Sequence, residues 1–431
     1  MTKNIEKKVY MPASLLVAVL LFLPVLLHFI ALYINVSKAG FLLVRKIDMM
    51  VFVLLCAYML AILLVSRRRD LSIKVALIVY ASLFPVLMLE LGIFLLGDEN
   101  PRVPLPTMRV ESVAGNNMPG IEGKVTFSVN KLGVRAPELW PTSRGDRILC
   151  VGGSTTECRY VTDEKSWPWL LGTALSKTLT RPILVANAGR SGHFTLHHLY
   201  QLQHYKLADE FGIVVILCGI NDMGTFLRNN YEQRITLVPK ESLTGSSAQG
   251  AYYHHSYLIQ ILKTAFARSS FAVRDAQGKW YNSLRNRRKK LLQQNTITTI
   301  PENFAYALDL YKSNLEKIIH HCSLKKQRLI LLTQPTMYQK NISQELKKLI
   351  WQHTSGGAYT PETLAKIITE YNNTLKNVCK AHNVACVDLA SLLPKNESTF
   401  YDDCHFNIRG CQQIVIHLQD AIVSKWKILQ K

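Results

Sequence analysis

The chain holds 431 residues, 48% of them apolar, which is enough for one large domain or two. Its formal net charge of +21 suits a nucleic acid, an anionic glycan or an anionic membrane surface. There is no zinc-finger spacing, no RNP-like motif and no interleaving of aromatic with basic residues around the densest basic run, so nucleic acid drops out as a partner.

The chain opens with three apolar runs, at 12–34, 49–65 and 73–96. Each approaches the length needed to cross a bilayer, the second being the shortest. A signal peptide would account for the first run alone, and that run is long for one. The spacing therefore predicts three membrane spans within residues 1–97. Lys3, Lys7 and Lys8 precede the first span, and Arg67, Arg68, Arg69 and Lys74 lie between the second and third. Three spans put both groups on one side, which the positive-inside rule makes cytoplasmic. Lys38, Arg45 and Lys46 in the first connection work against that orientation, whereas Asp98 and Glu99 after the third span agree with it. The large remaining domain is thus expected outside the cytoplasm, on the periplasmic or cell-surface side. Glu90 falls inside the third run; an intramembrane carboxylate is a functional hint, but a place near the interface or in a helix–helix contact is the preferred reading.

Residues 98–145 are rich in Pro, Gly and polar side chains and read as a linker with a short β segment around Val125–Val134. From 146 to 431 apolar runs alternate with helical patterns. Strands are predicted at Arg147–Val151, Ile183–Asn187, Ile213–Cys218, Arg328–Thr333 and Val384–Asp388. Helices are predicted at Trp167–Leu179, Phe194–Ala208, Phe304–Cys322, Pro361–His382 and Ile408–Trp426. Alternation of this kind argues for a parallel sheet covered by helices on both faces, and continuous runs such as ILCV and IVVILC suit doubly buried strands. An insertion of about a hundred residues, from Met223 to roughly Gln327, is expected to form a cap or wall. It carries the densest basic run, Arg285, Arg287, Arg288, Lys289 and Lys290, read as a solvated helix face.

The nine cysteines fit an exported domain without proving one, and their pairing is not legible from spacing. No CxxC occurs, which argues against a structural zinc site. The doublets His197–His198, His254–His255 and His320–His321 read as surface helix residues rather than ligands.

Open parallel sheets bind ligands beyond the carboxyl ends of their strands. There the sequence places Gly152-Gly153-Ser154, then Asn187-Ala188-Gly189-Arg190-Ser191-Gly192, then Gly219-Ile220-Asn221-Asp222, and last Asp402-Asp403-Cys404-His405. A serine hydroxyl needs a base to become a nucleophile. His405 is a suitable base, and Asp402, three residues earlier, can fix its tautomer. The Ser154 N–H, the Gly189 N–H and the Asn221 amide can converge on a developing oxyanion. Each residue has a plainer explanation: Ser154 as a helix N-cap, Gly189 as a turn glycine, Asn221-Asp222 as a turn after a strand, and His405 as a structural histidine. Their joint occurrence in this order favours catalysis.

Those four blocks resemble the SGNH hydrolase superfamily, also called GDSL-type esterases and lipases, in a membrane-anchored form of bacterial type. The resemblance covers roughly residues 147–428, with Gly153 where the namesake motif has Asp. It implies a flavodoxin-like three-layer α/β/α fold, ester chemistry, and neither metal nor organic cofactor. Carried across by position, it makes Ser154 the nucleophile, His405 the base, Asp402 its orienting partner, and Gly189 and Asn221 oxyanion-hole residues beside Ser154. Asp403 is the rival for the orienting role.

The resulting expectation is an integral membrane serine esterase that removes O-acyl, foremost O-acetyl, groups from a cell-surface or secreted polysaccharide, in possible association with envelope polysaccharide machinery. An O-acetyltransferase using the same Ser-His-Asp site is the alternative. A non-catalytic subunit for glycan assembly is the third reading.

Overall fold

A computed structural model describes residues 108–113, 117–138, 143–228 and 279–425. The three predicted spans, Glu90, Cys56 and the His254–His255 doublet lie outside the described residues. Among the described residues, no helix is long and apolar enough to cross a membrane.

The first element is an antiparallel hairpin of β1 (Met108–Val113) and β2 (Lys124–Val129). Only the second strand was predicted. Val125, Phe127 and Val129 alternate into the core and so mark β2 in the sequence. β1 has no such pattern that separates it from its linker-like surroundings.

The main sheet follows. β3 (Arg147–Gly152) leads through Gly153 into one helical turn, α1 (Ser154–Glu157), and then α2 (Trp167–Leu179). β4 (Leu184–Asn187), α3 (Thr195–His204), β5 (Ile213–Leu217) and α4 (Ile220–Phe226) come next. Asn221 and Asp222 therefore belong to a helix, not to a turn. The predicted helix at 194–208 ends at His204 and continues as a 3-10 turn over Lys206–Glu210.

The chain returns with α5 (Lys279–Gln294), the two-residue β6 (Thr296–Ile297), α6 (Phe304–Leu324) and β7 (Arg328–Leu332). Then come β8 (Ala358–Tyr359), which pairs with β6, α7 (Pro361–Ala381), β9 (Ala385–Val387) and α8 (Ile408–Lys425). Thr360 caps α7 by accepting a hydrogen bond from the Thr363 N–H at 3.2 Å, and Pro361 presets its first turn. Leu364, Ile367, Ile368, Tyr371 and Leu375 then form the buried stripe of α7, at the spacing expected of a helix on a sheet.

Strand order is β4-β3-β5-β7-β9, with every pairing parallel. In order of appearance this is 2-1-3-4-5, the flavodoxin-like arrangement. Helices α2 and α8 pack on one face, and α3, α6 and α7 on the other. The inserted stretch thus contains one helix of the layered core, α6, in addition to α5. Order reverses between β3 and β5, the topological switch point at which such sheets open a crevice.

The layering also explains a missed assignment. His197 and His198 are buried, because α3 lies between β3 and α6. His320 is exposed and His321 half-buried, its Nε2 3.2 Å from the Leu202 carbonyl.

Candidate active site

Gly153 alone separates β3 from Ser154, and two neighbours press on it. A Cβ on Gly153 would lie 2.2 Å from Asn221 Nδ2 and 3.2 Å from the His193 carbonyl oxygen. No side chain fits there. Gly153 is the N-cap of α1, so Ser154 stands inside the first turn and its hydroxyl is not a cap. The hydroxyl instead lies 2.7 Å from His405 Nε2.

His405 is delivered by a tight loop. Phe400 bridges Phe406, and the Tyr401 N–H donates to the His405 carbonyl at 3.0 Å. Inside this loop the Cys404 and His405 N–H groups donate to Asp402 Oδ1 at 3.1 and 2.9 Å. That Asx-type turn holds the carboxylate against the ring, with His405 Nδ1 2.9 Å from Oδ1 and 2.8 Å from Oδ2. Trp351 Nε1 donates to Asp402 Oδ2 at 2.9 Å. Nothing in the sequence near Trp351 marked it as part of the site, because it approaches from 51 residues away.

Asp403 faces elsewhere. It accepts from the Trp351 and Gln352 N–H groups and from the Tyr338 hydroxyl, the last at 3.2 Å. Burial and the neighbouring Asp402 push its carboxyl up to about 6. Asp402 is also fully buried, which alone would raise it, but His405 and its other donors hold it below the usual carboxylate range. Burial pulls the His405 imidazole down, and the Asp402 charge beside Nδ1 more than offsets this, leaving it well above its ordinary value.

The expected oxyanion donors are only partly brought together. Asn221 lines the same cavity as Ser154, and its Nδ2 donates to the His193 carbonyl at 2.8 Å. This fixes the amide plane and leaves a second N–H for a ligand. Gly189 does not line the cavity. It is packed on α1, where a Cβ would meet the Glu157 nitrogen at 2.4 Å, and its N–H donates to Asn187 Oδ1 at 2.9 Å. The glycine of that block which lines the cavity beside Ser154 and Asn221 is the exposed Gly192.

Asp222 ties this edge together by accepting from the Thr195 N–H at 3.1 Å and from its hydroxyl at 2.5 Å. Burial pushes its carboxyl up to about 6. Asp402, Cys404 and His405 put three ligand-type atoms within 4.8 Å of one another. His405 Nδ1 and both Asp402 oxygens are already engaged in the hydrogen bonds above, and Gln352 Nε2 lies 3.1 Å from Cys404 Sγ.

The cavity at this edge measures about 510 Å³. Aromatic rings form one wall: Tyr281 meets Tyr160 and Trp351 edge-on at 5.7 Å, and Tyr401 stacks on the His405 ring at 5.6 Å. The arrangement is that of a base-activated hydroxyl under an apolar wall, with amide donors beside it.

A sequence model of the GDSL-like lipase/acylhydrolase family matches residues 150–413. No curated protein matches the chain. Similar solved structures include a lipolytic protein of the G-D-S-L family from Desulfitobacterium hafniense, 11% identical, covering 64% of this chain and 99% of its own, with a TM-score of 0.34. An acetylxylan esterase from Geobacillus stearothermophilus is 14% identical over 64% of this chain and 94% of its own, TM-score 0.35. A lipase/acylhydrolase from Enterococcus faecalis is 17% identical over 65% and 96%, TM-score 0.35.

Proposed function

The chain belongs to the GDSL-like lipase/acylhydrolase family and is an ester hydrolase, and from that premise we propose a membrane-anchored, extracytoplasmic serine esterase that removes O-acetyl groups from a cell-surface or secreted polysaccharide. The carrying observation is the continuous line from Ser154 Oγ through His405 to Asp402, with contacts of 2.7 and 2.8 Å. The anchor rests on the apolar runs at 12–34, 49–65 and 73–96 and on the basic residues that flank them.

In this reading Ser154 Oγ attacks the ester carbonyl carbon while its proton passes to His405 Nε2. The carbonyl π electrons move to oxygen. The resulting oxyanion meets the N–H groups of Ser154 and Gly192 and the free N–H of Asn221. Gly192 takes the place expected for Gly189, whose N–H is committed to Asn187. Collapse of the tetrahedral centre breaks the bond to the sugar oxygen, which takes the proton from His405. The acetyl group now rests on Ser154. Water gives a proton to His405 and attacks the acyl carbon, and acetate leaves as Ser154 regains its proton. One oxyanion donor in such a site is worth about 10²- to 10³-fold in kcat.

Labelling with a fluorophosphonate, followed by peptide mapping, tests the site. The wild type should carry the label on the Ser154 peptide, and Ser154→Ala should carry none. Folded wild-type protein that stays unlabelled would sink the assignment. Acetate release from an acetylated glycan by the wild type alone would then establish the reaction. Protease digestion of the large domain in intact spheroplasts, with cytosolic markers protected, tests the orientation.

A further inference from the structure

The acyl-transfer steps call on Asn221 and Gly192 but make no use of Asp222, the next residue of α4, which is only 7% exposed. Both side chains leave the first turn of α4 and reach the segment that enters α3. Asn221 Nδ2 donates to the His193 carbonyl at 2.8 Å. Asp222 Oδ1 accepts from the Thr195 N–H at 3.1 Å and from the Thr195 hydroxyl at 2.5 Å. A donor and an acceptor side by side on α4 thus meet an acceptor and two donors on the facing segment. Two ties fix that segment in both position and rotation, where one would leave a pivot.

What they fix is the backbone around Gly192. The Arg190 N–H donates to the Gly152 carbonyl at 2.9 Å, and the His193 N–H donates to the Arg190 carbonyl at 3.1 Å. Gly192 therefore sits in a tight turn, at a φ of +81° that glycine tolerates. The turn is anchored upstream beside α1 and downstream only by the contacts to α4. Helix α3 cannot provide that downstream hold itself. The first N–H groups of a helix have no partner within it, and the cap position here is Phe194, which has no side-chain oxygen to offer. Asp222 supplies the acceptor from another element, at the helix end where a carboxylate is electrostatically favoured. Thr195 is steadied from behind by Asn314 on α6, whose Nδ2 donates to the Thr195 hydroxyl oxygen at 3.1 Å.

We infer that Asp222 is a positioning residue of the oxyanion hole: by holding Thr195 it sets the Gly192 N–H and, through the His193 carbonyl, the Asn221 amide at the place where the oxyanion forms. This deepens the esterase reading above and rests on it for the reaction. Asp222 is not among the residues that line the cavity, so it acts on the donors rather than on the substrate.

Two variants of the full-length protein break the tie from opposite sides. Asp222→Ala removes the acceptor. Thr195→Pro removes both donors and suits its place, because Thr195 is the first residue of α3 and Phe194 before it is extended. Each should lower kcat about 10- to 100-fold on a soluble ester, less than the 10²- to 10³-fold of a deleted oxyanion donor because the donors are displaced and not lost. KM should change little, since the oxyanion forms only on the way to the transition state. The double variant should lose no more than either single one, as expected when both remove one shared interaction. Asp222→Asn keeps an oxygen for the Thr195 donors and should recover most of the loss.

The rate of fluorophosphonate labelling at Ser154 is a second readout that needs no sugar ester, because the phosphoryl oxygen takes the oxyanion position. It should fall in step with kcat. A wild type that is never labelled overturns the esterase reading and this inference with it. A labelled wild type beside a folded Asp222→Ala or Thr195→Pro of unchanged kcat and labelling rate overturns the inference alone. So does a loss that Asp222→Asn fails to recover, or one that shows only as a lower thermal midpoint with full turnover per folded molecule.

Discussion

Asp402 has no contact with solvent, and each of its oxygens meets a donor: two backbone N–H groups and an imidazole on one side, an indole and the same imidazole on the other. Such a carboxylate stays ionised at a buried site only because its donors and His405 reward the charge. The reciprocal effect raises the imidazole. His405 accepts the Ser154 proton only when neutral, so kcat/KM should climb with pH through a value above the ordinary imidazole pKa of 6.5. Replacing Asp402 by Asn removes the charge that raises it, so the acid limb should move to lower pH. The plateau should drop by about 10³- to 10⁴-fold, because the amide favours the wrong tautomer. A pH–rate profile on a soluble ester checks both; an unmoved limb would count against the pairing. Trp351→Phe keeps an aromatic ring and deletes the indole donor to Asp402 Oδ2, leaving the His405 contact. About a 10-fold loss in kcat, with KM little changed, is the outcome expected for one hydrogen bond to a buried charge.

The glycines at this edge divide by geometry rather than by motif. Gly189→Ala would press a methyl group onto the backbone of Thr156 and Glu157, so its main effect should be on folding, read as a lower thermal midpoint with any loss of activity following from it. The sequence reading put the oxyanion donor at Gly189, one of the two glycines of its block that flank Arg190-Ser191. Only the packing of α1 distinguishes them. Ser154, His405, Asp402 and Asn221 were legible because their chemistry depends on residue type and short spacing. Trp351 was not, because an indole donor is one of many apolar side chains until the fold aims it.

Among the elements, α5 departs furthest from its sequence. Its basic run read as a solvated face, and Lys289 and Lys290 are indeed exposed. Yet Tyr281, Arg285 and Arg288 recur at i, i+4 and i+7, and this stripe points inward. Arg285 donates to the carbonyls of Asn117, Leu349 and Tyr401 at 2.9, 3.3 and 3.2 Å. Arg288, only 2% exposed, donates to the Gln352 carbonyl at 2.6 Å and to that of Tyr359. The helix therefore clamps the segment that carries Trp351. Arg288→Met should cost about 3–5 kcal/mol, since carbonyls and the Asp403 carboxyl lose their cationic partner in a buried setting. Chemical denaturation measures it, and a change under 1 kcal/mol would show the clamp to be slack. Strands were easier to read. The runs at 147–152, 213–217 and 328–332 are continuous and apolar because both sheet faces are covered, whereas the hairpin strand β1 carries no comparable signal.

At the scale of the whole described domain, the hairpin is joined to the layered core through the buried Asp163 carboxylate and the neighbouring Thr162 hydroxyl. Asp163 accepts from the Ser128 N–H and hydroxyl on β2 at 3.1 and 2.5 Å, and from Arg135 Nε at 2.8 Å. Arg135 also reaches the carbonyls of Cys158 and Val161, and its backbone bridges Asn187 at the sheet edge. The hairpin thus braces the segment just after α1, which carries Ser154. Asp163→Ala leaves the 4%-exposed Arg135 guanidinium without its carboxylate and should destabilise the domain by about 3–5 kcal/mol. Arg135→Met/Asp163→Leu should recover most of that loss, because it removes both charges at similar volume. If the double variant were as unstable as the single one, packing rather than the ion pair would be the cause.

The sequence by itself determined the alternation of strands and helices, the parallel sheet and the four blocks at its carboxyl edge. Burial on two faces writes itself as continuous apolar runs, and nucleophilic chemistry demands particular side chains at short spacing. Tertiary structure alone decided which glycine faces the cavity and that Trp351 joins the site. Those outcomes depend on contacts between residues distant in the chain, set by strand order and helix packing, which leave no local mark in it.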